Sequence, residues 1–169
     1  MLTKTPTSIT FIREVDMNKV LQVANYILSN AGPMSAMKLQ KLVYYSQAWS
    51  LALNGQVLFD SEIQAWAFGP VSPTLFKKHG GNRDLTKKFL EEEGIDKLNE
   101  REMTTIDKVI NTYNKFDGDQ LSNLTHSETP WINAREGLAN LERGNREITH
   151  ASMKAFYKAM IEAKKSDKA

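Results

Sequence analysis

The stretch from Lys38 to Pro70 reads KLQKLVYYSQAWSLALNGQVLFDSEIQAWAFGP, and it decides how the rest of the chain is read. Leu39, Leu42, Val43, Ser46, Trp49 and Leu53 recur at the three- and four-residue spacing of one helix face. Tyr45, Ala48 and Ala52 widen that face, so this helix is expected to be covered on more than one side. Lys38, Gln40, Lys41 and Gln47 fall on or near its polar flank. Asn54-Gly55 supplies the stop, because glycine takes the left-handed conformation that ends a helix without strain. Beyond it, Ile63, Ala65 and Ala67 alternate with Gln64, Trp66 and Phe68, the period of a short strand or extended connection, and Gly69-Pro70 punctuates the run. The segment carries Tyr44, Tyr45, Trp49, Phe59, Trp66 and Phe68, so it forms either the centre of the core or a recognition surface. Leu39, Leu42, Trp49 and Trp66 are expected in the core.

Upstream, residues 1–16 are polar and Thr-rich and are read as an N-terminal extension, loosely held. The alternation of Ile9, Phe11, Arg13 and Val15 would also suit a short strand. A helix is expected from Met17, with Asp16 as N-cap and Val20, Val23, Ala24, Ile27 and Leu28 on its apolar face, ending at Gly32-Pro33. Ser35 caps the helix that follows.

Downstream, Ser72-Pro73 opens a short helix that stops at Gly80-Gly81. Residues 82–94 are charged and weakly periodic, with a helix through Leu85, Phe89 and Leu90 as the candidate. Asn99 and Glu102 have the spacing of a capping box. Met103, Ile106, Val109, Ile110, Tyr113 and Phe116 then form a helical stripe, broken at Asp117-Gly118. Asp119 is read as the cap of a helix with Leu121 and Leu124, and Thr129-Pro130 as the start of another with Trp131. Residues 137–146 read as a loop. Thr149 caps a last helix carrying Met153, Phe156, Tyr157, Met160 and Ile161, and the basic tail beyond Ala163 is expected to fray. The expected fold is mostly α: a compact single-domain helical bundle of six to eight short and medium helices with at most a small β-hairpin. Its parts are the extension 1–16, the domain 17–163 and the tail 164–169.

Composition narrows the function. A chain of 169 residues, 41% hydrophobic and 25% charged, has the size and balance of one soluble domain. The absence of cysteine removes disulfides, thiolate metal sites and thiol nucleophiles, and fits a cytoplasmic location. No apolar run approaches the roughly 20 residues of a membrane span, and residues 1–16 hold no secretory apolar core. A net charge of +2 is too mild to predict nucleic-acid binding by itself. The glycines lack phosphate-loop or dinucleotide spacing, and His79, His126 and His150 are far apart, so no cofactor or metal is expected.

Residues 121–131, LSNLTHSETPW, are the most site-like local sequence. A hydrolase reading makes His126 a general base oriented by Glu128. No nucleophile accompanies them, so the preferred reading is structural, with Thr125 and His126 tying two short helices together. Lys38, Lys41, Tyr44 and Tyr45 form a mixed basic and aromatic patch suited to a partner, with Tyr44 at the margin of the apolar stripe where a ring can be half exposed. The plain alternative is the solvated edge of a buried helix. A DNA-binding helix–turn–helix is a further alternative. However, the helix after Ser72 carries Lys77, Lys78 and His79 at its C-terminal end, whereas recognition helices read bases from their N-terminal residues.

Three segments together resemble the Panacea domain of bacterial and phage toxin–antitoxin systems, a prophage-associated domain. They are Lys38 to Trp49 (KLQKLVYYSQAW), Ala65 to Val71 (AWAFGPV), and Leu121 to His126 (LSNLTH) with Pro130-Trp131. The resemblance covers roughly residues 17–161, with Phe68 standing where a tyrosine is expected before Gly-Pro. It implies that Trp49, Trp66, Gly69, Pro70, Thr125, His126 and Trp131 are motif residues of the fold. It also implies a binding module rather than an enzyme: an antitoxin neutralising a cognate protein toxin by direct contact, with a role in phage defence. Family toxins include small alarmone synthetase-like enzymes and membrane-acting peptides. The family leaves one other role open, an adaptor presenting the toxin to a protease, and a DNA-binding autoregulator of its own operon is the alternative from another class.

Overall fold

The structure is a computed structural model that describes residues 8–168, with side chains from residue 18 onward. Of the expected extension, residues 1–7 lie outside the described residues. The rest is already helix: α1 runs Ser8–Ala31, not from Met17. No glycine or proline interrupts residues 8–31, and extending a nucleated helix costs far less than starting one, so neither the Asp16 cap nor the strand alternation prevails. Gly32, at φ 88°, ends α1 as expected.

The chain continues as β1 (Met34–Ser35), α2 (Ala36–Asn54), β2 (Gln64–Trp66), β3 (Gly69–Val71), α3 (Pro73–His79) and β4 (Asp84–Leu85). Two single 3-10 turns follow, then α4 (Glu100–Tyr113), α5 (Gly118–His126), α6 (Thr129–Ala134) and α7 (His150–Asp167). The fold is mostly α, as read from the sequence, with two small antiparallel pairs among the described residues. The expected hairpin is β2–β3, in the register Gln64–Val71, Ala65–Pro70, Trp66–Gly69. The pairing of β1 with β4 was not foreseen, and neither were the 3-10 turns where a helix through Leu85 was expected. Leu85 and Leu90 are buried there and Phe89 partly so, while residues 86–88 between them are polar and exposed, too few apolar positions for a helical face.

Caps behave as local chemistry dictates. Ser35 accepts from Lys38 N–H, Gly55 closes α2 at φ 65°, and Asn99 and Glu102 form a full capping box. Asp117, rather than Asp119, caps α5 in a second box with Gln120. Thr149 caps α7, which stays helical through Asp167 where fraying was expected after Ala163.

α2 is the axis of the molecule, packed by α1, α4, α5 and α7. It is therefore buried nearly all round, and its supposed polar flank is mostly interior. Gln40 and Gln47 are turned into backbone surrogates. The Gln40 amide donates to Ser72 O (3.2 Å) and accepts from Ser72 N–H (2.8 Å). Gln47 does the same with Phe59 O (2.6 Å) and Leu58 N–H (2.7 Å). Each amide satisfies a buried donor and a buried acceptor that extended chain would otherwise leave orphaned. Leu39 and Leu42 are fully buried; Trp49 and Trp66 are partly buried, with Trp49 packed on the core. Among the described residues no helix is long and apolar enough to cross a membrane.

Candidate functional site

Two of the three motif segments of the sequence analysis, AWAFGPV and LSNLTH with Pro130-Trp131, meet at one place. The β2–β3 hairpin lies over α2, α5 and α6, and a side chain donates to nearly every carbonyl along it. Arg135 Nη1 bonds Ala65 O (3.0 Å), and Trp131 Nε1 bonds Trp66 O (2.8 Å). The His126 imidazole bonds Ala67 O. Ser122 Oγ bonds Phe68 O (2.6 Å), and Lys41 Nζ bonds Pro70 O (3.2 Å). A three-residue strand pair is too short to hold itself, so these five donors fix its place. Beneath it, His126 stacks on Trp131 (centroids 4.0 Å apart, planes 20° apart), and the Arg135 guanidinium lies over the Trp131 ring at 5.1 Å.

Gly69 is the pivot. Its φ of 113° disfavours any side chain, and a Cβ there would run into the Lys41 stem and come within 3.0 Å of Thr125 Oγ1. The missing side chain is what lets the lysine pass under the turn to Pro70. Thr125 is fully buried and spends its hydroxyl on Ser122 O (2.7 Å).

Lys41 is 1% exposed, and its amine, held down by burial, has its pKa lowered to about 7. His126 is also lowered, first by burial and then by the charges of Lys41 and Arg135, against which its bond to Ala67 O works. Its Nε2 is buried without a partner among the described residues.

A second buried network sits beside the first. Glu128 Oε1 accepts from Tyr45 OH (2.6 Å) and Tyr157 OH (3.0 Å), and Tyr157 OH lies 3.1 Å from Tyr44 OH. Tyr45 stacks on Tyr113 at 4.1 Å, and Tyr113 OH accepts from Trp49 Nε1 (2.8 Å). Burial raises the Glu128 carboxyl above its usual range although both phenols favour its ionised form, and burial likewise raises the phenols. The cluster ties α2 to α4, to the α5–α6 junction and to α7.

These positions correct one expectation and speak against one alternative. Tyr44 is not half exposed but 1% exposed, and Lys41 and Tyr45 are equally enclosed, so only Lys38 of the four partner candidates keeps partial exposure. The Lys38 amine is itself bonded to Asn114 O at 2.7 Å. The reason is packing on every side of α2, which single-helix periodicity does not report. The His126–Glu128 acid–base pair is also not assembled: His126 bonds the hairpin and Glu128 bonds two phenols. Arg135 and Ser122 were missed as clamp members. Their sequence signal is slight, since only the tertiary approach of Ala65 and Phe68 gives them a role. No group of three His, Cys, Asp or Glu side chains converges among the described residues.

The family profile described as antitoxin SocA-like, Panacea domain matches residues 39–132, more than half of the chain. The chain is 31% identical over 124 residues to Antitoxin SocA of Caulobacter vibrioides (strain NA1000 / CB15N), across 64% of this chain and 66% of that protein. The match thus spans slightly under two thirds of the relative's length. No solved structure matches the chain. The matched interval encloses Lys41, the hairpin, Ser122, His126 and Trp131 and stops short of Arg135, and the chain belongs to the SocA-like antitoxin family, whose domain is the Panacea domain.

Proposed function

We propose that this chain is an antitoxin that neutralises a cognate protein toxin by binding it directly, as a cytoplasmic, non-catalytic module. One observation carries the reading beyond membership of an antitoxin family. His126, the general base of the hydrolase reading, is committed with Trp131, Arg135, Ser122 and Lys41 to the carbonyls of a short hairpin, and Glu128, its orienting group in that reading, is committed to two phenols. A pre-organised surface loses little conformational entropy on association, which is what a tight protein binder needs.

The test is co-expression with the product of the adjacent reading frame in a bacterium that the product alone arrests. Growth is expected to recover, with the two chains co-purifying as a stable complex. Rescue with no complex and unchanged toxin level would remove direct binding in favour of repression or repair of the damage. Rescue accompanied by protease-dependent loss of the toxin would move the adaptor role ahead.

A further inference from the structure

Among the described residues, the two most exposed large apolar side chains lie at the tip of the clamped hairpin and in the loop beside it. Phe68 is 60% exposed, although its own carbonyl is held by Ser122 at 2.6 Å. Opposite it, Leu141, in the loop that returns past β2, is 76% exposed. Phe76 of α3 is also exposed, and it lies edge-on to Trp66 at 4.8 Å. Between Phe68 and Leu141 runs an open groove of about 620 Å³, lined by Trp66, Ala67, Phe68 and Val71 on one side and by Leu141, Arg143, Gly144 and Asn145 on the other.

Both walls are rigid. The hairpin is clamped at five carbonyls. The loop wall is held by Arg135, whose Nη2 bonds Ala139 O (3.0 Å) and Glu142 O (2.6 Å) while its Nη1 bonds Ala65 O on the other wall. One buried guanidinium thus spans both sides of the groove. Ala65 N–H to Arg146 O (2.8 Å) and Ile148 N–H to Ile63 O (2.8 Å) close the seam behind it.

Arg143 is the groove's one charged lining residue and has no ion-pair partner among the described residues. The adjacent Glu142 carboxylate is turned to its own loop, accepting from Ala139 N–H at 2.9 Å. The surface therefore offers apolar contact with a single unneutralised positive charge at its edge.

We propose that this groove is the toxin-binding surface, and that it takes a segment of the toxin bearing an apolar side chain next to a carboxylate. The apolar side chain packs between Phe68 and Leu141, and the carboxylate meets Arg143. The assignment rests on the direct-binding reading above and moves the contact from α2 to the hairpin tip. Exposed rings on a rigid frame are the usual anchors of an interface, and guanidinium pairs bidentately with carboxylate. An apolar groove with one cation is poorly matched to a nucleic-acid backbone, which needs several.

The experiment uses the full chain, with the adjacent reading frame's product as the probe and affinity measured at low and high salt. Phe68→Asp and Leu141→Asp change exposed side chains, so melting temperatures are expected to stay at the wild-type value while affinity falls about thirtyfold or more. Arg143→Glu is expected to lose about tenfold at low salt and much less at high salt, as a rim charge does. Reversing a toxin carboxylate to lysine is expected to restore binding to Arg143→Glu. If the wild type binds but all three variants bind equally well, the groove is not the site, and direct binding stands without it. If the wild type itself fails to bind, direct binding falls and the groove assignment falls with it. Loss of a dimer by Phe68→Asp with toxin affinity intact would give the groove to a second copy and overturn the proposal.

Discussion

Replacing Lys41 with methionine isolates the cost of a buried amine at the centre of the family motif. The amine is 1% exposed, reaches one acceptor, Pro70 O at 3.2 Å, and has its pKa lowered by burial from 10.5 to about 7. In the unfolded chain it stays protonated to its ordinary pKa. Between pH 7 and 10.5 the unfolded state therefore binds a proton that the folded state does not, and stability rises with pH across that window. Below pH 7 both states carry the proton, and the full penalty is present. A shift of that size corresponds to about 5 kcal/mol between the limits, and to about 2–3 kcal/mol between pH 7.5 and 9.5. Methionine has similar length and no charge. It removes the pH-dependent part while leaving Pro70 O without its donor, a constant cost of about 1–3 kcal/mol. Urea unfolding of both proteins from pH 7.5 to 9.5 is the assay. That range lies above the His126 titration, which Lys41 also influences, and the Lys41→Met minus wild-type difference cancels the tyrosines. The variant is expected to be more stable relative to wild type at pH 7.5 than at 9.5, by about 1 M in relative midpoint at a slope near 2 kcal/mol/M. Parallel profiles would refute the reasoning, because they would mean that Lys41 keeps its proton in the folded protein and is hydrated there.

Gly69→Ala combines a strained φ with collision against Lys41 and Thr125, and it is expected to cost about 3 kcal/mol or more in chemical unfolding, whereas Gly81→Ala, which meets nothing within 4 Å, should be nearly silent. His126→Gln loses the stack on Trp131 and the bond to Ala67 O, so the melting temperature should fall in calorimetry by an amount matching about 1–3 kcal/mol, with toxin affinity following stability. Glu128→Gln retains an acceptor for Tyr45 and Tyr157 and is expected to cost little in urea unfolding. Glu128→Leu strands both phenols and is expected to cost about 2–4 kcal/mol. Trp49→Ala removes a partly buried ring and the donor to Tyr113 OH, and about 3 kcal/mol should be lost in the same measurement.

Local chemistry was legible in the sequence. The caps at Ser35, Asn99 and Thr149, the glycine stops at 32 and 55, the short strand at 64–66 and the helical class all follow from interactions within a few residues of chain. The motif words were visible too, and with them the family. The meaning of those words was decided by tertiary structure alone. Lys41, Gln40 and Gln47 look like a solvated flank because a single helix has one free side, and they are interior because four other helices remove it. Tyr44 and Tyr45 became core for the same reason. His126 and Glu128, two residues apart and suggestive of acid–base chemistry, were sent to different partners by the approach of the hairpin on one side and of α7 on the other. Phe68 carried no sign of exposure in its alternating strand. Its exposure arises because the five donors beneath the hairpin hold the backbone down and leave its tip ring facing out, a consequence of contacts tens of residues apart that no local pattern encodes.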